Sequence, residues 1–198
     1  MNVLITGGTG HLGRLIVQRA LAAGHAVRIA SRRTQPSTAL DGASWATVDL
    51  GAGLGLREAL EDIDAIVHAA SDPRNAEVAD IKGTRLLAEA ARDAGVSHLL
   101  FVSIVGIDRI PFPYYQHKFE AERILVDSGV PHSILRAAQF HSFIDLLLRS
   151  ASRLPLIFPV PSGFHVQSVA TEEVAERIAG ALADGPRGML PDYAGPEP

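Results

Sequence analysis

The sequence predicts an α/β fold, a doubly wound parallel sheet, on three observations. Short apolar runs alternate with helix-periodic segments along most of the chain. The first run, Val3-Leu4-Ile5, leads directly into a glycine-rich turn, Thr6-Gly7-Gly8-Thr9-Gly10-His11-Leu12-Gly13. The runs are also apolar enough to be covered on both faces, as strands joined by crossover helices must be.

Taken in order, Asn2 to Thr6 reads as the first strand, buried and followed by glycines that allow a sharp turn and a close approach to a ligand. His11 to Ala23 reads as a helix, with Leu12, Leu15, Ile16, Arg19, Ala20 and Ala23 in helical period and Gly24 as its C-terminal cap. Further strands are expected at Ala26 to Ala30, Ser44 to Val48, Ala65 to Ala69, His98 to Ser103 and His132 to Arg136. Helices are expected between them at Leu56 to Leu60, Asp80 to Ala94 and Tyr114 to Ser128. Leu154 to Pro161 is too proline-rich for a central strand and reads as an extended, substrate-side segment. A last helix follows, with Thr171 as its N-cap, Glu172 and Glu173 in the positive first turn, and an apolar stripe of Val174, Ala175, Ile178, Ala179 and Leu182. The tail from Gly185 to Pro198 is either a short edge strand or loose chain.

Composition bounds the function. With 198 residues, 47% of them hydrophobic, the chain is long enough to bury a core and is most simply one domain spanning 1–198, with substrate-side elements from about residue 140 onward. A formal net charge of -4 gives no general attraction to nucleic acid or to an anionic membrane. The absence of cysteine excludes disulfides, thiol catalysis and thiolate metal sites, and fits a reducing cytoplasm. The opening residues read as a core strand and do not look like a signal peptide, and no apolar run reaches the length of a bilayer span. The eight histidines show no metal-ligand spacing, so no metal is expected. His141 beside Phe140 is either a substrate contact or structural.

The glycine-rich turn is the primary binding signal. Amides that open a helix lack intrahelical partners and lie at the positive end of its dipole, so they suit a diphosphate. The candidate contacts are Gly7, Thr9, Gly10, His11, Leu12 and Gly13. At the end of the second strand, where an acidic side chain would accept the adenosine ribose hydroxyls, the chain has Ser31-Arg32-Arg33 instead. Paired guanidinium groups match a 2′-phosphate, which favours NADP (NADPH) and makes NAD the lesser choice. Asp49 and Leu50 stand where the adenine edge would lie, although Asp49 equally suits a cap on the following turn.

The second signal is chemical. Tyr114 and Lys118 are four apart on an expected helix and share a face, so the ammonium is expected to favour the ionised phenol and lower its pKa from about 10 toward working pH. A phenol so tuned exchanges protons usefully. Ser103 ends the preceding strand and is the candidate donor to an acceptor oxygen.

Together with Val67-His68-Ala69-Ala70-Ser71, Phe101-Val102-Ser103-Ile104-Val105-Gly106 and Ser128 through Phe140, these motifs make the chain similar to the short-chain dehydrogenase/reductase superfamily, in its atypical, NmrA-like branch of NAD(P)-binding oxidoreductases with a Rossmann fold. The resemblance implies that Ala69, Ala70 and Ser71 line the cofactor. It further implies that Lys118 holds the nicotinamide ribose, and that Arg136 to Phe140, with Ala137, Gln139 and Phe140 as the candidate contacts, lie beside that ribose and open into a substrate pocket. It implies a reductase that passes hydride to a small organic acceptor, such as a quinone, azo or carbonyl compound, with Tyr114, Lys118 and Ser103 as catalytic residues. The branch also contains NADP-binding redox sensors that turn nothing over, and its wider relatives include nucleotide-sugar epimerases and dehydratases. Ser103 is followed by Ile104 where sugar-nucleotide relatives carry a second serine, and Phe140 to Pro198 leaves little room for a bulky sugar nucleotide. A homodimer through the helices at Asp80 to Ala94 and Tyr114 to Ser128 is the family-based expectation for assembly.

Overall fold

The computed structural model describes residues 1–33, 40–151 and 167–196. Seven strands form one sheet: β1 (Asn2–Thr6), β2 (Ala26–Ser31), β3 (Ala43–Thr47), β4 (Ala65–His68), β5 (His98–Ile104), β6 (His132–Ala137) and β7 (Gly188–Met189), in the spatial order β3-β2-β1-β4-β5-β6-β7. Every pairing is parallel. The order reverses direction between β1 and β4. Crevices outside the carboxyl ends of strands at such a reversal are where ligands bind in open α/β sheets.

The period-2 alternation of each strand builds two cores. Val3, Ile5, Val27, Ile29, Val67, Leu100, Val102 and Leu135 face one side, where α1 (His11–Ala22) and α6 (Thr171–Asp184) bring Ile16, Val17, Val174 and Ile178 against them. Leu4, Ile66, Leu99, Phe101 and Ile134 face the other. There they meet α2 (Leu56–Ala59), α3 (Gly83–Asp93) and α4 (Pro113–Asp127), through Leu56, Leu87, Ala91, Ala121 and Leu125.

A buried network ties the ends of β1 and β4 to α3. Thr6 Oγ1 lies 2.7 Å from His68 Nδ1, His68 Nε2 lies 3.0 Å from Thr84 Oγ1, and Thr6 Oγ1 also accepts the Ala70 amide at 3.3 Å. Complete burial is the main cause that pulls His68 down to about 3, with the Lys118 charge adding to it, so this imidazole is neutral.

The expected strands and the first four helices are present, with ends shifted by a residue or so. Two elements differ. The helix expected from Asp80 begins earlier, with a π-helical turn at Glu77–Lys82 that runs into α3 and turns Asp80 inward, fully buried. A further helix, α5 (His141–Ala151), follows β6 where only substrate-side chain was expected. Its periodicity is masked by three consecutive leucines, Leu146 to Leu148, although the Asp145–Arg149 pair at 2.7 Å, one turn apart, is a helical signature.

Thr171 is not an N-cap. The chain reaches α6 in extended form, bridged from Val169 to Phe140, so Ala170 occupies the cap position and Thr171 begins the helix with its side chain buried. The tail resolves as the edge-strand alternative: β7 pairs with β6, and Tyr193 bridges to Ala137. Leu154 to Pro161, including Phe158, lies outside the described residues. Among the described residues, no helix is long and apolar enough to cross a membrane, and no group of three or more His, Asp or Glu residues is placed to hold a metal ion.

Candidate functional site

A cleft of about 450 Å³ opens at the reversal in strand order. Its wall carries Gly7, Thr9 and Gly10 from the turn after β1, Ser31 to Arg33 after β2, Val48 to Gly51 after β3, and Ala69 to Asp72 after β4. The turn is shaped by contacts that tolerate no side chain at two of its glycines. Gly7 has φ +72°, and a Cβ there would stand 2.7 Å from the Ala69 carbonyl carbon; at Gly13 a Cβ would stand 2.0 Å from Gly7 O. Gly10 is different. A Cβ there would meet only Gly7 O, at 3.3 Å, a contact that needs the backbone to give by a few tenths of an ångström. Gly10 is exposed on the cleft side and caps α1, whose first intrahelical bond runs from the Arg14 amide to Gly10 O, leaving the opening amides to an anion. The bare Gly10 backbone is a cradle that a methyl group would fill.

Arg32 and Arg33 stand exposed at the cleft wall, and no carboxylate ends β2. Their loop is anchored from two sides: the Arg33 amide donates to Ser31 Oγ at 3.2 Å, and the Trp45 indole donates to Arg33 O at 2.9 Å. Asp49 caps the turn after β3, one of its two sequence readings. Its Oδ1 accepts the Ala52 amide at 3.1 Å, capping the turn, and the residue also lines the cleft. Leu50 lies beside it.

At the other end of the cleft four side chains converge. Ser71 Oγ is 2.7 Å from the Tyr114 phenol oxygen and donates to Asp80 Oδ1, also at 2.7 Å. Since the single Ser71 hydroxyl proton goes to Asp80, the phenol is the donor to Ser71. Lys118 Nζ sits 3.4 Å from the same Asp80 oxygen and 4.2 Å from the centroid of the Phe101 ring. Lys118 and Asp80 are both buried. One helical turn further, Glu122 holds Arg136 of β6 in a two-bond fork at 3.0 and 2.7 Å, and Asp108 lies 3.4 Å from the same guanidinium. The Glu122 bond is the first cause holding Arg136 above its ordinary value.

These contacts correct the expected tuning of the phenol. Tyr114 is pushed up to about 12, chiefly by burial; a Ser71 bond to the ionised phenol lowers it, while Asp80 and Tyr115 raise it further. Lys118 does not depress it because its charge is spent on Asp80. Burial lowers Lys118 itself, and Asp80 opposes that shift.

Ser71, and not Ser103, is the hydroxyl in contact with the phenol. Ser103 Oγ is buried with no hydrogen-bond partner among the described residues. It lies two residues past Phe101 on β5 and therefore on the α4 side of the sheet, as Lys118 does. A buried hydroxyl left without a partner costs free energy that a ligand atom can recover.

From residue 7 to residue 185 the sequence matches a family described as NAD(P)H-binding. The chain belongs to that family. Photosystem II assembly factor Ycf39 of Trieres chinensis is 32% identical over 148 residues, covering 71% of this chain and 46% of that protein. The chain thus spans about half the length of the curated relatives it matches. Among solved structures, Citrobacter sp. triphenylmethane reductase complexed with NADP(H) superposes with a TM-score of 0.83 at 22% identity, covering 100% of this chain and 71% of that one. The Bordetella bronchiseptica enzyme WbmH in complex with NAD+ gives 0.79 at 17% identity, covering 98% and 75%. Both are similar in fold. These structures share with the chain the Rossmann fold of NAD(P)-binding proteins.

Within this NAD(P)H-binding domain the remaining sequence candidates are placed as follows. His11 is exposed and Leu12 half-buried at the start of α1. Ala137 is buried in β6, with its carbonyl accepting the Val105 amide. Gln139 donates its side-chain amide to the Tyr115 phenol, and Phe140 is half-buried and bridged to Val169. His141 Nδ1 lies 2.7 Å from Ser168 Oγ, which is the structural alternative. Sequence reasoning missed Asp80 as a member of the site. A lone acid in a helical run carries no signal of burial; only the Tyr-x-x-x-Lys step, which needs a counter-charge once its lysine is buried, hinted that one must exist.

Proposed function

We propose that the chain is an NADPH-dependent oxidoreductase passing hydride to a small organic acceptor such as a quinone, azo or carbonyl compound. The observation that carries this reading is the Tyr114 phenol, in contact with Ser71 at the end of the cleft, on the same side of the sheet as the Ser103 hydroxyl, which has no partner among the described residues. NADPH when bound supplies the hydride. Ser103 offers a hydrogen bond where negative charge grows on the acceptor oxygen, and Tyr114 yields the proton that completes the reduced product. Lys118 keeps Asp80 neutralised and orients the cofactor ribose beside the phenol. Gly7, Gly10 and Gly13, with the opening amides of α1, take the diphosphate.

The preference for NADPH is supported by Arg32 and Arg33 at the cleft wall and by the absence of a carboxylate at the end of β2, where a 2′-phosphate would otherwise be repelled. The proposed assembly is a homodimer through α3 and α4, which light scattering checks directly.

The test is NADPH oxidation by the purified chain against quinones, azo dyes and aldehydes, before and after Tyr114→Phe. Aldehyde reduction should fall by about 10²- to 10⁴-fold in the variant while quinone reduction persists, because a quinone accepts hydride with little help from an acid. Equal loss of both would refute this division of labour. The second reading, a non-catalytic NADP-binding sensor, draws support from relatives named as assembly factors. It predicts NADPH binding with no turnover on any acceptor.

A further inference from the structure

We infer that Ser71 is the hydroxyl through which Tyr114 exchanges its proton with solvent, so that the phenol is served by the loop after β4 and not by the end of β5. The inference rests on the proposed acid role of Tyr114, and its geometry stands on three observations. Ser71 Oγ touches both the phenol oxygen and the Asp80 carboxylate, at 2.7 Å each. Ser71 is exposed, Tyr114 half-buried, and Asp80 and Lys118 buried, so the serine is the most water-accessible of the four. Ser103, the alternative hydroxyl, makes no hydrogen bond among the described residues.

Proton by proton, the sequence balances. At rest the phenol donates to Ser71, and Ser71 donates to Asp80. When the phenol gives its proton to the reduced acceptor, a phenolate remains. The Ser71 hydroxyl then rotates its proton from Asp80 to the phenolate, stabilising it. Ser71 passes that proton across to regenerate the phenol as it takes another from water, whose hydroxide leaves to solvent, so every residue ends as it began. Asp80 is the resting acceptor for the serine proton, and Lys118 keeps it paired throughout. The ionisable groups around the phenol are Asp80 from the π-helical turn and Tyr115 and Lys118 from α4, with Glu122 one turn beyond. Of the groups acting on the phenol, the serine bond is the one that lowers its pKa.

Two readings test this separately from turnover. In the 198-residue chain carrying Tyr115→Phe and Tyr193→Phe, the one remaining tyrosine is replaced biosynthetically by a fluorotyrosine and titrated by ¹⁹F NMR. Ser71→Ala should move that titration to higher pH, and Ser71→Thr, which keeps the hydroxyl, should restore it. An unchanged titration in Ser71→Ala overturns the inference whether or not the protein turns over. If the wild-type chain reduces an aldehyde, Ser71→Ala should lower kcat at least tenfold and enlarge the solvent isotope effect, with Ser71→Thr recovering most of the rate. Turnover by the wild type with an unimpaired Ser71→Ala kcat also overturns it. Absence of any wild-type turnover, with the titration still shifted, would defeat the proposed reductase activity and leave the Ser71–Tyr114 coupling standing.

Discussion

Lys118 Nζ stands 3.4 Å from Asp80 Oδ1, with both side chains almost wholly withdrawn from water. The pair joins α4 to the π-helical turn that precedes α3 and sets the floor of the site. A buried pair of this kind contributes little net stability over an apolar alternative, but breaking it from one side strands a charge.

Lys118→Met should therefore cost about 3–5 kcal/mol of folding stability. In Lys118→Met/Asp80→Asn the stranded carboxylate is gone, and the loss should be much smaller than the sum of the two single losses. Urea unfolding of the four proteins in the cycle measures the coupling. Additive losses would mean that the two groups do not depend on each other.

Two glycines of the turn after β1 should behave differently. At Gly13 a Cβ would lie 2.0 Å from Gly7 O, so Gly13→Ala should destabilise the fold outright. At Gly10 the corresponding contact is 3.3 Å, so Gly10→Ala should cost the fold much less than Gly13→Ala yet bind NADPH about tenfold or more weakly, a loss of about 1.4 kcal/mol or more. Thermal melts and calorimetric titrations on both variants check this; a Gly10→Ala protein that binds normally would show that no ligand backbone approaches there.

Arg32→Ala/Arg33→Ala should weaken NADPH binding about 100-fold while leaving NADH affinity within about twofold, because a charge-assisted bond to a phosphate contributes about 1.5–3 kcal/mol. Trp45, the one tryptophan of the chain, donates to Arg33 O, so its fluorescence reports on this loop directly. A parallel loss of NADH binding would assign the arginines to the fold of the loop instead.

Stability should fall in acid because of His68. Its folded pKa is about 3 against an ordinary 6.5, so between those values the unfolded chain holds a proton that the folded chain does not. Stability from this group is thus complete above about pH 6.5 and declines as pH falls toward 3, by at most about 1.4 kcal/mol per pH unit. His68→Gln should flatten this part of the curve even if it lowers the plateau. Urea midpoints from pH 7 to pH 4 give both slopes, and identical slopes would place the acid sensitivity elsewhere.

Much of the fold was legible because its signals are local. Val3-Leu4-Ile5 has the apolar run of a strand covered twice, and His11 to Ala22 has the period of a helix with Gly24 to end it. Where local signals failed, a specific competitor prevailed. At α5 three leucines in a row obscured the period, and at Thr171 the side chain that suits a cap was drawn into the core.

For the site, the sequence by itself determined the glycine turn, the arginine pair after β2 and the Tyr114–Lys118 step, because each depends on spacing within one element or one turn. Only the tertiary structure decided which groups meet. Ser71, Asp80 and Tyr114 belong to three separate stretches of chain, and Tyr114 meets Ser71 because β4 and β5 are neighbours in the sheet and α4 follows β5. The same packing reversed the direction of the phenol's shift. Spacing brings a lysine near a tyrosine, but burial decides whether the ammonium acts on the phenol or is neutralised by a carboxylate arriving from another helix.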